Sequence, residues 1–590
     1  MEERAWYSSY DKEVPRQLDF EPMTLVDYLE RSAEVWPDTT AVIFLNAKLT
    51  FAELHEEVRR LATAMASMGV TKGTKVAIQM PNIPQTVIAF YAALTLGATV
   101  VLTNPLYMPY EIEHQWNDAG CEVAVVMDFI YDQKLEDITD KLPVREYLVA
   151  SIPEYLRFPM RQLAPLALKR KKKIASVPDA ENVHAFRQLI RDTKPDDDLT
   201  GDVQIDDLAV LQYTGGTTGV SKGAMLTHAN LSWNLQQIDA WWNLLEDGKE
   251  VMLASLPLFH VFGMNAVMNW CVSAGATMVL MPDPRDTEAI VKAIERHKVT
   301  LFPGAPAMFN AVNNMSGIKK RDLSSIKACL SGSAPLPADV MQRFEELTGC
   351  KIYEGFGMSE TSPVTHITPE EGVRKIGTVG LPVSNTDAKI VDIDDTAKEM
   401  PIGTEGELLL RGPQVMQGYW QRPDETAKTI RDGWLHTGDL AVMDEDGFFR
   451  IVGRTKDMIN AGGYKVFPDE IDTLLMAHPD ILECATIGVP DPTRGETVKT
   501  FAVLIEGREL SADDIVAYCR EHLAAYKVPR QVEFIDELPK SAVLKVLRRE
   551  LRDREEGRRE EIETGKLEAD GLDEAALAES TGDPTGTDGN

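Results

Sequence analysis

The stretch LQYTGGTTGVSKGAMLTH occupies residues 211–228 of a 590-residue chain. An apolar, β-like run, LAVLQYT, leads into it, and a helix-like run follows. Turns rich in Gly and Thr at such a junction suit phosphate, because glycines let backbone N–H groups approach an anion closely. The hydroxyls of Thr214, Thr217 and Thr218 and the ammonium of Lys222 add donors. A Walker A loop has Gly before its lysine and a hydroxyl after it. Here Ser221 precedes Lys222 and Gly223 follows it, so that pattern fails at both flanks. A plain Gly/Thr turn is the alternative to a phosphate loop of another kind.

Outward from this loop, short β-like runs (TKVAIQM, TVVLT, EVAVVM, VMLASLP, ATMVLM) alternate with helix-like segments. That rhythm predicts an α/β fold, with sheets covered by helices. Around residues 403–449 the texture changes to short strands and turns, and the DEDG turn and alternating FFRIV predict hairpins. These are expected to form a small β-barrel-like part. A new α/β pattern begins after Arg454 and ends near Leu551. No internal repeat is found.

The composition is 44% hydrophobic, enough to bury large cores. Net charge is −32, of which residues from 551 onward carry −8 and the body −24. So acidic a surface argues against nucleic acid as a partner, since phosphates need Lys and Arg. It also suits work in high salt, where self-repulsion is screened. The six cysteines are far apart and none forms a C-x-x-C, which predicts a reducing compartment without a disulfide frame or zinc site. The first 20 residues are charged and lack an apolar core, so no secretory leader is expected and the localisation is read as cytoplasmic. Two apolar stretches, 86–102 and 251–281, imitate membrane spans. Gly97 interrupts the first, and Pro257, His260, Asn265 and Asn269 interrupt the second; both read as buried helices and strands. One basic exception stands out, YLRFPMRQLAPLALKRKKKI over 155–174. It reads as a solvated basic loop or as a peripheral contact to an anionic membrane at its inner face.

Five further stretches join the opening one: LPLFHVFGM (256–264), YEGFGMSETSP (353–363), GWLHTGDL (433–440), GRTKDMINAGGYKVFPDEID (453–472) and LPKSAVLKVLRREL (538–551). In this order and spacing they resemble the adenylate-forming, acyl-activating enzymes, over nearly the whole chain up to about Leu551. The finer match resembles long-chain fatty-acyl-CoA synthetases. The resemblance implies an AMP-forming acid–thiol ligase. A fatty acid and ATP would give acyl-AMP and pyrophosphate, and coenzyme A would then take the acyl group. An aryl, short-chain or other carboxylate is the alternative acid, and a catalytically weak adenylate- or lipid-binding protein is the reading from another class. ATP, Mg2+ and coenzyme A are the implied cofactors, and a homodimer is compatible with it.

The resemblance also implies an organisation: a large N-terminal domain over 1–453, a hinge over 454–457 and a small mobile α+β C-terminal domain over 458–552. The polar, biased composition of 553–590 predicts an acidic tail, at most a frayed helix and then disorder. The resemblance assigns the β- and γ-phosphates to Thr214, Gly215, Gly216, Thr217, Thr218, Gly219 and Lys222, and Mg2+ to Glu360. A carboxylate after Ser359 at a helix start is the plain reading of Glu360. Adenine is expected on Phe356, with Ala334 and Pro335 opposite and Glu354, Gly355 and Ser359 beside it. The ribose is expected on Asp439, with Arg454 reaching ribose or phosphate. His260 would border the acyl and AMP sites, although a lone His in an apolar run is ordinarily a core residue. Lys545 would bridge the reacting carboxylate and the α-phosphate, Lys456 would mark the hinge, and Gly462 and Gly463 would leave room for pantetheine. One departure is Leu544, where such enzymes carry Gly. A left-handed backbone there would disfavour Leu by about 1–2 kcal/mol.

Overall fold

The computed structural model describes residues 4–563 apart from 197, 200, 215–220, 462–463, 492–493 and 542–543. Four sheets form among the described residues. In the first, Lys75–Gln79, Thr99–Leu102, Cys121–Met127, Glu146–Ala150 and Val183–Ala185 are parallel, and Leu208–Thr214 joins them beside Thr99–Leu102. Lys222–Thr227 closes the sheet as an antiparallel edge. The second sheet has nine strands. Its centre is parallel, running Thr277–Leu280, Val251–Ala254, Leu301–Gly304, Ala328–Ser331, Lys351–Gly357.

These strands are short apolar runs because helices cover them. Helix Pro84–Thr95 is buried on every face, and strand Thr99–Leu102 follows it directly. The apolar stretch at 86–102 is therefore core, as its Gly97 break indicated. The stretch at 251–281 divides into strand Val251–Ala254, a π-helical segment Phe262–Asn269 and strand Thr277–Leu280. No described helix is long and apolar enough to cross a membrane. Helix Phe51–Ser67 shows how local signals place such covers: Thr50 and Glu53 form a capping box, and Phe51, Leu54, Val58, Leu61 and Met65 are its buried stripe.

The region expected to be barrel-like is a five-stranded antiparallel sheet built on Asp387–Val391, Gly406–Arg411 and Trp434–Met443. Its pairing branches at Trp434–Met443, which pairs with Gly406–Arg411, Ile430–Arg431 and Phe449–Arg454, and an isolated bridge between Gly380 and Phe449 ties it to the nine-stranded sheet. Phe449–Arg454 pairs with Trp434–Met443 and delivers the chain to the last sheet. There the long hairpin of Ile481–Asp491 and Gly495–Leu504 carries Gln531–Phe534 in parallel on one side. Two apolar clusters, centred on Ile459, Ile471 and Ile515 and on Phe501, Leu538 and Leu551, lie within this C-terminal part. The large cluster of the N-terminal part spans Trp6 to Phe449.

At the start of the acidic stretch the structure has more than a frayed helix end. Residues 553–563 continue helix Arg548–Glu563. Its charges find partners on the sheet: Arg554 and Arg558 pair with Glu533, and Glu555 pairs with the buried Lys499 at 2.7 Å. Alternating Arg and Glu looked like a solvated run, yet it matches a complementary surface. Residues 564–590 lie outside the described part. The basic stretch at 155–174 is not a loop throughout. It contains helix Met160–Arg170, none of whose residues is buried.

Candidate active site

The phosphate-like loop leaves the end of one strand and returns along its neighbour. Thr214 and Lys222 are the last paired residues, and the Ser221 hydroxyl donates to the Thr214 carbonyl at 2.8 Å. Gly215, Gly216, Thr217, Thr218 and Gly219 lie outside the described residues. The Lys222 ammonium stands 5.5 Å from the centre of the Tyr419 ring and pairs with Glu425. That hydrogen bond holds the Glu425 carboxyl down at about 2.

Glu360 lies in the short turn Ser359–Thr361 that follows strand Lys351–Gly357. The turn folds back sharply: a Cβ on Gly357 would sit 1.8 Å from the Pro363 carbonyl oxygen, so only glycine fits. Glu360 is buried, and its Oε1 accepts from the Tyr419 hydroxyl at 2.7 Å. No group of three His, Cys, Asp or Glu gathers among the described residues. One buried carboxylate fits Mg2+, which uses one or two carboxylates and takes its other ligands from phosphate and water.

Glu354, Gly355 and Phe356 end the same strand. Glu354 is buried, its Oε1 accepts from the Leu336 N–H at 3.4 Å, and burial raises its carboxyl to about 7. It thus fixes the turn that carries Ala334 and Pro335. Phe356 is half-buried and meets His366 edge-on, with ring centres 5.8 Å apart. Ser359 opens the Glu360 turn.

Asp439 and Arg454 face each other as register partners on neighbouring strands. Arg454 Nε donates to Asp439 Oδ1 at 2.9 Å. The other carboxylate oxygen, Oδ2, is buried without a partner. Burial raises the Asp439 pKa, against the pull of Arg454. An orphaned buried acceptor is expensive unless a ligand donates to it. A vicinal diol such as a ribose supplies that donor. Beyond Arg454, the Thr455 N–H donates to the Gly438 carbonyl at 3.0 Å, and Lys456 is exposed.

Lys545 comes from the C-terminal part. It is an exposed residue, and the Arg454 charge is the largest influence lowering its ammonium to about 8. Desolvation acts in the same direction, while Asp439 and Asp469 oppose it. His260 feels the same lysine: burial first, then the Lys545 charge, lower its imidazole to about 4. His260 is therefore neutral at physiological pH. It sits in the apolar turn before Phe262–Asn269, beside the buried Val261 and Met264. The Lys545 charge thus acts on His260 and is itself acted on by Arg454 and Asp439, although these residues are far apart in sequence. Gly462 and Gly463 lie outside the described residues.

Sequence reasoning missed Tyr419 and Glu425, which engage Glu360 and Lys222. It also missed Arg548, whose guanidinium pairs with Asp469 and, at 2.6 Å, with Asp472. Tyr419 is 59 residues from Glu360 and carries no spacing signal. Arg548 lay within a motif already singled out and was passed over as ordinary helix.

Residues 29–420 match the family model of the AMP-binding enzyme, and 470–545 match that of the AMP-binding enzyme C-terminal domain. A long-chain-fatty-acid–CoA ligase of Bacillus subtilis (strain 168) is 43% identical over 558 residues, covering 94% of this chain and 98% of that protein. A solved structure of the anthranilate CoA ligase AuaEII in complex with anthranoyl-AMP aligns with TM-score 0.80 at 29% identity, over 90% of this chain and 97% of that one. The structure of ATP-bound MatB from Rhodopseudomonas palustris aligns with TM-score 0.75 at 28% identity, over 90% and 99%.

Proposed function

The chain belongs to the AMP-binding enzyme family, and we propose that it is an ATP-dependent ligase joining a long-chain fatty acid to coenzyme A. The observation that carries this reading is the Arg454–Asp439 pair, whose buried Oδ2 lacks a donor, with the Lys545 charge acting on it from the C-terminal part. A fatty carboxylate and a triphosphate repel each other, so the reaction needs charge neutralisation and positioning above all. The carboxylate oxygen bonds to the α-phosphorus, and the bond to pyrophosphate breaks. The coenzyme A thiol then loses its proton and bonds to the acyl carbon, and AMP leaves.

In this reading Asp439 Oδ2 accepts from the ribose, and Arg454 is fixed by Oδ1 to reach ribose or phosphate. Phe356 and the Ala334–Pro335 turn border the adenine, with Glu354 holding that turn. The loop from Thr214 to Lys222 receives the departing phosphates, and Lys222 exchanges Glu425 for them. Glu360 would hold Mg2+, which supplies Lewis-acid charge on the phosphates. Lys545 neutralises the meeting oxygens in the first step. Neutral His260 adds no charge to the acyl side and leaves it apolar, which suits a hydrocarbon chain. The division into a large domain to residue 453, a hinge at 454–457 around Lys456 and a small domain after it is part of the same proposal, as is pantetheine passage at Gly462 and Gly463.

Helix Met160–Arg170 completes the reading. Phe158, Leu163 and Leu166 are 80%, 56% and 69% exposed, and Lys169 to Lys173 follow them. Apolar side chains beside a basic run on an otherwise acidic protein fit an anionic membrane surface, the source of a long-chain acid. Replacing Lys169, Lys171, Lys172 and Lys173 by Gln should lower binding to anionic vesicles; unchanged binding would remove this part.

The principal test is pyrophosphate release with ATP and Mg2+ across fatty acids of increasing length, with and without coenzyme A. An optimum at long chains, with sustained turnover dependent on coenzyme A, is expected. No release with any fatty acid, but release with an aryl carboxylate, would overturn the choice of acid.

A further inference from the structure

Leu544 immediately precedes the lysine and holds a left-handed backbone, with φ at +60°. Its loop is closed by its own hydrogen bonds. The Ser541 N–H donates to the Lys545 carbonyl at 2.8 Å, and the Leu544 N–H donates to the Ser541 carbonyl at 2.9 Å. The Lys545 N–H donates to the Ser541 hydroxyl at 3.2 Å. Lys540 and Val546 form an antiparallel bridge just outside, and the Leu547 N–H donates to the Pro539 carbonyl at 2.8 Å. These bonds tie Leu544 and Lys545 to Ser541, and Val546 and Leu547 to Pro539 and Lys540.

Its apolar side chains go to different cores. Val546 packs with Phe501, Leu538 and Leu551 in the C-terminal part. Leu544 is half-buried against the large cluster of the N-terminal part. Among the described residues it is the one apolar side chain from beyond residue 451 that joins that cluster. Glycine would take this backbone without strain, and asparagine takes it more readily than leucine. A strained leucine persists only where its surroundings hold it. Its contact with the large cluster adds to the hydrogen bonds that hold this backbone.

We infer that Leu544 is a positioning residue that clips the Lys545 loop onto the large domain, favouring adenylation and having to be released before the thioester step. This rests on the reading of Lys545 proposed above. Because Leu544 adjoins Lys545 and both bond to Ser541, losing the clip lowers the fraction of molecules with Lys545 docked against the large domain. It leaves the nucleotide-binding side chains on the large domain untouched.

The full chain would be compared with Leu544→Gly, Leu544→Asn and Leu544→Met. Pyrophosphate release in a single turnover without coenzyme A reads the first step. Thioester formation from preformed acyl-AMP reads the second. Gly and Asn should slow the first step about fivefold, leave KM for ATP within about twofold, and leave the second step equal or faster; Met should restore the first step. Distances between spin labels placed across the cleft in the ligand-free protein give a readout independent of turnover. Gly and Asn should broaden the distribution toward longer distances, and Met should not. Unchanged distances in Gly and Asn would overturn the inference, as would an equal fall in both steps. Should the wild type adenylate no fatty acid, the reading of the substrate fails instead, and the distances still decide the role of Leu544.

Discussion

Asp439 and Glu360, on the large-domain side of the cleft, are buried and fixed by Arg454 and Tyr419 on neighbouring strands and turns. Lys545, on the other side, is exposed on a short loop and is shifted by charges without an ion pair among the described contacts. The first arrangement is rigid and suits binding, since sheet register sets its geometry before any ligand arrives. The second suits a charge that must arrive and leave. The contrast assigns recognition to one wall and the timing of the chemistry to the other.

The sharpest way to break that assignment is Lys545→Ala. Removing one preorganised charge that acts on the transition state lowers rates by about 10²–10³, or roughly 3–4 kcal/mol. Pyrophosphate release should fall by that factor with little change in KM for ATP. Thioester formation from preformed acyl-AMP should change by less than about tenfold. Equal losses in both steps would erase the division of labour. The wild type carries its own control. The Arg454 charge and desolvation lower the ammonium to about 8, against the opposing pull of Asp439 and Asp469. The neutral amine therefore prevails above that pH in the free enzyme, and kcat/KM for adenylation should decline as pH rises through about 8.

Rigid preorganisation has a stability counterpart, which Glu354→Gln exposes. Burial raises the Glu354 carboxyl to about 7 from an ordinary 4.5. The folded protein thus holds a proton that the unfolded chain releases between those values. Stability falls as pH rises from about 4.5 to about 7, and the full penalty persists above. Its ceiling is about 3 kcal/mol at 1.36 kcal/mol per unit, and hydrogen bonding in the unfolded and variant states reduces it to about 2. Denaturant unfolding should show Gln more stable than Glu at pH 8 and equal to it near pH 4. An equal difference at both pH values would mean that the turn, not the charge, carries the effect.

The same contrast explains what could be read from the sequence. Alternating apolar runs indicated helix-covered sheets because burial on both faces leaves continuous Val, Ile and Leu, as in Cys121–Met127. Motif residues beside glycines, such as Phe356 between Gly355 and Gly357 and Asp439 after Gly438, could be singled out because those signals are local. Tyr419 and Glu425 were not, since their partners are set by how the antiparallel sheet packs against the first sheet, a non-local event. The anchoring of the helix at 553–563 was hidden for the same reason: its composition allows only a frayed helix, and the positions of Lys499 and Glu533 reveal the counter-surface. Leu544 lay in between. The sequence raised the issue of a left-handed leucine, and the fold supplied both the angle and the contact that offsets it.

The mildest test joins the two walls. Asp439→Asn keeps shape and one acceptor oxygen but loses the charge that faces Arg454 and Lys545. As a ribose acceptor the amide is weaker, and Arg454 loses its ionic partner, so KM for ATP should rise about tenfold, equivalent to about 1.4 kcal/mol. Because Asp439 also raises the Lys545 pKa, its loss should move the alkaline fall in adenylation to lower pH than in the wild type. A higher KM with an unmoved pH limb would mean that the two walls are electrostatically independent. A moved limb with an unchanged KM would mean that the orphaned Oδ2 does not face the nucleotide, and that Asp439 serves the lysine alone.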